Sequence, residues 1–228
     1  MPVHLQREIE RLKQQVLSLC AVVENSVRLA VKAVAERNSA IAAQVIESDV
    51  QIDQAEIDVE EECLKILALH QPVAIDLRYI VAVLKMNNDL ERIGDLAVNI
   101  AERAQYLNSQ MKIDIPFDFK GIAQKTQAMF RSSLDALVNM NASLARQVCS
   151  QDDEVDAINR RMYDQVKDMI RAHPEHVESL IALLSVSRCL ERIADHATNI
   201  AEDVLYMIQG HIVRHGLELG KLKKDADS

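Results

Sequence analysis

Apolar and polar residues alternate along most of this chain with the period of an α-helix. In residues 5–23, for example, apolar side chains recur at intervals of three and four, which places them on one face of a helix. Long stretches rich in alanine and leucine, with few breakers, also favour helices. The pattern predicts six helices at 4–37, 40–70, 74–110, 119–148, 152–172 and 175–213.

A few residues mark the boundaries of these segments. Pro72, Pro116 and Pro174 lie where segments begin or end, because proline within a helix removes a hydrogen bond. Asn38 precedes the second segment and is a good N-cap. The stretch "KIDIPFDFKG" at 112–121 is predicted to be an extended linker between two domains.

The chain contains an internal repeat. "ERIGDLAVNIAE" at 91–102 and "ERIADHATNIAE" at 191–202 are identical at nine of twelve positions. Further upstream, Asn38 matches Asn141 at an offset of 103, so the second copy is three residues shorter near its helix 2–helix 3 connection. The repeat predicts an all-α fold of two tandem three-helix bundles. Their predicted bounds are 1–112 and 113–228.

Composition agrees with helical bundles and narrows the function. Aromatic residues make up 3%, Trp is absent, and the chain has only 5 Gly and 4 Pro, so the core must be built from Ala, Val, Ile and Leu. A formal charge of −9 argues against nucleic-acid binding. The four cysteines are widely spaced without a CxxC pair, which is typical of reduced thiols. We expect a cytoplasmic protein, because the charged N-terminus is unlike a signal peptide and no apolar run is long enough to span a bilayer.

The repeated segment carries its acids on one helical face. With Glu91 at zero on a helical wheel, Glu102 lies at about 20°, Asp95 at about 40° and Asn99 at about 80°. The apolar residues of this segment lie on a separate face, and the same geometry holds for 191–202. Like charges four residues apart destabilise a helix by about 0.2–0.5 kcal/mol per pair, so something must offset their repulsion.

The second helix of each half carries a DxxxD row that could pack beside these acids. Antiparallel helices would then bring at least four carboxylates and an amide oxygen together in each half. Such oxygen donors suit Mg²⁺, Mn²⁺, Ca²⁺ or oxidised iron, and bridging carboxylates could hold more than one ion. The candidate metal-binding residues are Asp49, Asp53, Glu91, Asp95, Asn99, Glu102, Asp152, Asp156, Glu191, Asp195, Asn199 and Glu202.

Three nearby residues fit this interpretation less well. His196 lies about 140° from Glu191 on the wheel and its counterpart is Leu96, so we expect a partly buried histidine and not a ligand. Glu56 and Glu60 continue the first DxxxD row, but Asn159 and Tyr163 occupy their places in the second half. We therefore expect them to be solvated acids or additional acids of the first half, and not ligands shared by both halves.

At these residues the sequence resembles a known family. "QPVAIDLRYIVAVLKMNNDLERIGDLAVNIAERA" at 71–104 and "ERIADHATNIAEDVLY" at 191–206 are similar to the signature segments of PhoU proteins, accessory regulators of the phosphate-specific transport system. The resemblance covers about 5–213, and "HPEHVESLIALLSVSRCL" follows the first copy only loosely. It implies two three-helix bundles, a cytoplasmic location and frequent dimerisation. It also implies metal ions, with Fe and Zn among the candidates, held by Asp49, Asp53, Glu91, Asp95, Asp152, Asp156, Glu191 and Asp195.

The resemblance further implies a regulatory role without catalysis. Such a protein would repress phosphate-starvation signalling and restrain phosphate uptake. It would link the ATPase subunit of the phosphate ABC transporter to a phosphate-sensing histidine kinase.

Two alternatives remain open from the residues. A multi-metal phosphoesterase could use the clustered acids, although no nucleophile motif or GxxxxGK[ST] loop accompanies them. A purely structural bundle would pair the acids with Arg92, Arg103 and Arg192. A ferritin-like di-iron oxidase is disfavoured, because none of the seven histidines has a glutamate three residues before it.

Overall fold

The described part of the chain is almost entirely helical. The structure is a computed structural model that describes residues 3–113 and 117–210, and no strand occurs within them. A short 3₁₀ turn at Pro174–His176 precedes the last helix. The helices are α1 Val3–Ala35, α2 Ser39–His70, α3 Ala74–Ser109, α4 Phe119–Val138, α5 Ala142–Ala172 and α6 Val177–Gln209.

The six helices form two three-helix bundles, which confirms the predicted fold class. Helices α1, α2 and α3 pack together in the first half, and α4, α5 and α6 pack together in the second. The halves meet mainly along α3 and α6, with a smaller contact between α1 and α4. The core consists largely of Ala, Val, Ile and Leu, as the composition predicted. The domain bounds at 112 and 113 stay a prediction. None of the described helices is long and apolar enough to cross a membrane.

Equivalent caps begin the second helix of each half. The Asn38 side chain accepts hydrogen bonds from the amides of Ala40 and Ile41. The Asn141 side chain likewise accepts hydrogen bonds from the amides two and three residues after it. The residue before each cap has a positive φ, 50° at Arg37 and 47° at Met140. Each chain reversal is therefore built in the same way.

These caps correct one predicted boundary. The sequence interpretation ran helix 4 to 148 and began helix 5 at 152, whereas α4 ends at Val138 and α5 begins at Ala142. The physical reason is that Asn141 ends the preceding segment and satisfies two free amides of the next helix. The match between Asn141 and Asn38 carried this signal.

The predicted linker at 112–121 is also partly wrong. Phe117 and Phe119 are buried against the core, and α4 already begins at Phe119. Asp118 caps α4 through the amide of Gly121. Burial of an aromatic side chain stabilises the fold more than its exposure in an extended connector would, which explains why this segment packs against the core. Residues 114–116 and the predicted end of helix 6 at 211–213 lie outside the described residues.

The two halves differ in the sizes of two packed side chains beside the repeated acids: the second half has a larger residue on one helix and a smaller residue on the other. A Cβ atom at Gly94 would lie 3.1 Å from Ile52 Cδ1 and Cγ2, so α2 and α3 approach closely here. In the second half Ala194 replaces the glycine and Val155 replaces the isoleucine. The methyl group added on one helix is thus matched by a smaller side chain on the other.

Polar contacts join α3 to α6. His196 Nδ1 lies 2.7 Å from Asp89 Oδ1, and the Asn199 amide donates to the same oxygen at 3.1 Å. Lys85 Nζ lies 2.7 Å from Asp203 Oδ1. The histidine side chain is 18% exposed, which confirms the prediction of a partly buried residue.

Candidate metal centre in each half

The first-half acids of α2 and α3 are neighbours, as the antiparallel arrangement predicted. Burial raises the pKa of Asp49, and the negative charges of Asp53 and Asp95 raise it further. A Cβ atom placed on Gly94 would lie 3.8 Å from Asp49 Oδ1, so this carboxylate lies close to α3. The DxxxD row therefore lies beside the first ExxxD motif.

The α3 acids of this cluster are partly neutralised by an arginine. Burial raises the pKa of Glu91, the charges of Asp95, Glu56 and Asp53 add to this rise, and Arg92 opposes it. Arg92 Nη1 lies 3.0 Å from Asp95 Oδ2, and its Nε lies 3.4 Å from Glu91 Oε2. One cation thus offsets part of the repulsion among the acids.

The second half repeats this cluster of acids. Burial raises the pKa of Asp195 to about 6, and the charges of Asp152, Glu191 and Asp156 contribute to the rise. Burial and Asp156 also raise the pKa of Asp152, while a hydrogen bond from Thr198 lowers it. That hydroxyl donates to Asp152 Oδ1 at 3.4 Å. The same four acid positions are therefore brought together twice.

The four remaining candidates lie at the margins of these clusters. The exposed Asn99 amide donates to the backbone oxygen of Asp95 at 2.9 Å, and Glu102 is exposed. Asn199 turns its amide to Asp89 at the contact between the halves. Burial raises the pKa of Cys149 to about 12, and the charge of Glu202 contributes to this rise. Asn99 and Asn199 thus bond to groups other than the cluster carboxylates, whereas Glu202 lies near Cys149, whose pKa is also raised by Asp152.

The donor chemistry of both clusters suits a hard cation. Each offers four carboxylates, and their mutual repulsion favours a bound positive charge. Within residues 3–113 and 117–210, however, no three or more His, Cys, Asp or Glu side chains are arranged so as to hold a metal ion. Binding of an ion would therefore require carboxylates of the cluster to rotate towards it. Metal binding thus stays a prediction.

Sequence reasoning missed the contact between Asp89 and His196. Its signal was the internal comparison itself: Cys189 occupies the position of Asp89 in the second copy, and Leu96 occupies that of His196 in the first. The contact is therefore polar at one of two equivalent places, and the other place carries apolar residues. The pair connects α3 to α6, and the histidine also lowers the pKa of the neighbouring Asp195.

A cavity of about 610 Å³ between α1 and α2 was also missed. Its lining includes Val22, Gln51 and Ser26, whose buried hydroxyl has no hydrogen-bond partner among the described residues. The second half carries Lys125 at the position equivalent to Val22 and Glu154 at the position equivalent to Gln51. These two residues form an ion pair between α4 and α5. The signal was again a difference between the two copies.

Known proteins match this chain over nearly all of its length. The family model described as "PhoU domain" matches residues 16–104 and 119–204. The "Phosphate-specific transport system accessory protein PhoU homolog" of Pseudomonas putida is 37% identical, over 91% of this chain and 82% of that protein. The protein of the same name from Pseudomonas aeruginosa is 36% identical, over 97% of this chain and 91% of that protein.

A solved structure supports the same assignment. The crystal structure of PhoU from Pseudomonas aeruginosa aligns with a TM-score of 0.87 at 36% identity, over 90% of this chain and 99% of that chain. The matched residues include both acid clusters and both cap asparagines. The chain belongs to the PhoU family.

Proposed function

We propose that this protein is a metal-binding adaptor of a phosphate-specific transport system, and that it represses phosphate-starvation signalling. The names of its relatives support the link to phosphate transport. The observation that carries the metal component is the pair of four-carboxylate clusters, which occupy equivalent places in the two halves.

In this proposal a metal ion has a structural role. Asp49, Asp53, Glu91 and Asp95 would hold it in the first half, and the equivalent acids would hold it in the second. A bound cation supplies positive charge that offsets carboxylate repulsion. The chain itself contributes acid rows on two packed helices, so each cluster connects neighbouring helices of its bundle.

The proposed partners are the ATPase subunit of the phosphate transporter and a phosphate-sensing histidine kinase. An acidic helical body can meet basic surfaces directly or through bound cations, and such complementarity favours rapid and specific association. This role places the protein in the cytoplasm, where we also propose that it forms a homodimer. No catalytic turnover is part of the proposal.

A reporter strain tests the regulatory role. Deletion of the gene should leave a phosphate-starvation promoter active in phosphate-rich medium, and the wild-type gene should restore repression. Normal repression in the deletion strain would contradict the proposal. A phosphatase assay with Mn²⁺ provides a second test, and turnover that is lost in an Asp95→Ala/Asp195→Ala variant would favour the phosphoesterase instead.

A further variant separates metal from regulation. The protein with alanine at Glu91, Asp95, Glu191 and Asp195 should fold and fail to restore repression, because all four acids lie off the apolar face of their helices. Full restoration by this variant would leave the adaptor role and remove metal from its mechanism. Circular dichroism should confirm that its helical content is unchanged.

A further inference from the structure

The outer face of α2 carries a line of exposed apolar side chains. Val50 is 68% exposed, Ile57 is 45% exposed and Leu64 is 52% exposed. These residues are seven positions apart, so they form one line about 21 Å long on the helix. We call Val50, Ile57 and Leu64 the α2 stripe. It lies on the side of α2 that faces away from the core.

The second half shows that this fold does not need the stripe. At the equivalent positions α5 carries Asp153, Arg160 and Lys167, and all three are exposed. The same contrast continues beyond the helix, where the exposed residues Val73 and Ile75 correspond to His173 and Glu175. A second copy of the same helical unit thus covers its outer face with polar residues.

Acidic residues flank the α2 stripe on both sides. On a wheel with the stripe at about 60–100°, Asp53 and Glu60 lie at about 20–40°, whereas Glu61 and Glu47 lie at about 120–160°. Helix α2 contains eight Asp or Glu residues and a single Lys, whereas α5 contains six Asp or Glu and five Lys or Arg. The apolar line and the excess of negative charge thus occur on the same helix.

We propose that the α2 stripe is a docking surface for an amphipathic helix of a partner protein, with an apolar seam flanked by lysine or arginine. The seam would cover Val50, Ile57 and Leu64, and the basic flanks would pair with the acids on either side. A helix lying along α2 matches the seven-residue spacing, because each position of a heptad returns to the same side of the helix every two turns.

Charge complementarity distinguishes this partner from two other occupants. A second copy of the chain would place one row of acids against another, and like charges across an interface are costly. An anionic membrane surface would repel the same acids. A basic helix satisfies both the apolar line and its acidic borders.

The inference deepens the proposed adaptor function and rests on it for the existence of a protein partner. It requires neither metal nor phosphate. The two can therefore fail separately: repression restored in the deletion strain by a variant without the stripe would remove this surface and leave the adaptor role intact.

A peptide-binding experiment tests the surface. The probe is a labelled 21-residue helical peptide with leucine at heptad positions a and d and lysine at e and g. A control peptide has the same sequence except for glutamate at e and g. Fluorescence anisotropy should show binding of the lysine peptide to the full chain and none of the glutamate peptide. Absence of binding by the lysine peptide would overturn the proposal.

The internal repeat supplies the key variant. Val50→Asp/Ile57→Arg/Leu64→Lys introduces the residues that α5 carries at these positions, and it should weaken peptide binding by at least about tenfold. Val50→Ser/Ile57→Ser/Leu64→Ser should cause a similar loss without changing the charge. The control Val138→Asp/Ile181→Arg changes exposed apolar residues elsewhere and should bind as the wild type does.

Two results would contradict the proposal even if the wild type binds the peptide. Equal affinity of the wild type and both stripe variants would show that the peptide binds elsewhere. A dimer of the wild type that the serine variant loses, measured by sedimentation, would show instead that the stripe is a contact between copies. Circular dichroism should show that every variant retains the helical content of the wild type.

Discussion

The two halves of this protein resemble each other on the inside and differ on the outside. Both contain the same four acid positions and equivalent asparagine caps. Where the first half pairs a glycine on α3 with an isoleucine on α2, the second half pairs an alanine on α6 with a valine on α5. The outer face of α2, however, is apolar and acidic, whereas that of α5 is polar and nearly balanced in charge. The shared features are those that build a bundle and its acid cluster. The features that differ are those that a partner would meet.

The contrast separates stability from recognition. The side chains of the α2 stripe are about half exposed or more, so they contribute little to the core. Buried residues such as Ile93 and Ile193, by contrast, are fully enclosed in both halves. Substitutions inside should therefore affect the halves equally, and substitutions outside should affect binding in only one of them.

The largest expected effect comes from charge in the core. Ile93→Asp and Ile193→Asp should each lower the free energy of unfolding by about 4 kcal/mol or more, because each buries a carboxyl group without a partner. Chemical denaturation followed by circular dichroism measures this. The control Val50→Asp should change stability by less than about 0.5 kcal/mol, since the residue is exposed. A stable Ile93→Asp variant would contradict the helical phase of the acid stripe.

Removal of the caps should have a smaller and equal effect in the two halves. Asn38→Ala and Asn141→Ala each remove two hydrogen bonds to free amides, at a cost of about 1 kcal/mol. Thermal denaturation measures the cost, with the exposed Ser143→Ala as a control. If Asn141→Ala proved neutral, the helix boundary at 139–141 would not depend on this cap.

The exchanged methyl group predicts coupling between two positions. Gly94→Ala should be better tolerated by about 1 kcal/mol when Ile52→Val is present, because valine lacks Cδ1, one of the two isoleucine atoms that would lie 3.1 Å from the new Cβ. A double-mutant cycle of unfolding free energies measures this coupling. Strictly additive effects would show that the two halves do not compensate in this way.

The smallest effect concerns pH in the metal-free protein. The pKa of Asp195 is raised to about 6, so the folded chain binds this proton more tightly than the unfolded chain does. Acidification from pH 7 to about pH 5 should therefore increase the free energy of unfolding through this residue. Solvent screening of the partly exposed side chain keeps the gain below about 1 kcal/mol. Asp195→Asn should remove this component and be more stable at pH 7, and an unchanged pH profile would contradict the raised pKa.

Much of the fold was predictable because helical periodicity and an internal repeat constrain it together. The six helices follow from periodicity and breakers, and the two bundles and the neighbouring acid rows follow from the repeat and its spacing. The end of α4 was misplaced because the region around Asn139 and Met140 lacks a proline, and the cap at Asn141 carries the signal instead. Burial of Phe117 and Phe119 escaped prediction, since a linker containing proline resembles an exposed connector in sequence.

The site was less predictable than the fold. Spacing predicts that acids share a face, but it does not determine the rotamers of their side chains. In the structure Arg92 forms ion pairs with two of these acids. It also does not determine which polar groups bind across α3 and α6, where Asn199 turns to Asp89. Such contacts depend on the packing of the two halves, which no local pattern contains.

Metal content measured half by half tests the central claim most directly. Elemental analysis and calorimetric titration should be carried out on the wild type, on Asp95→Ala and on Asp195→Ala. The control is Asp168→Ala, which removes an acidic residue outside both clusters. The account predicts that each cluster variant loses the metal of its own half and retains that of the other, and that the control equals the wild type. Unchanged metal content in both cluster variants, or a wild type that binds none, would contradict it.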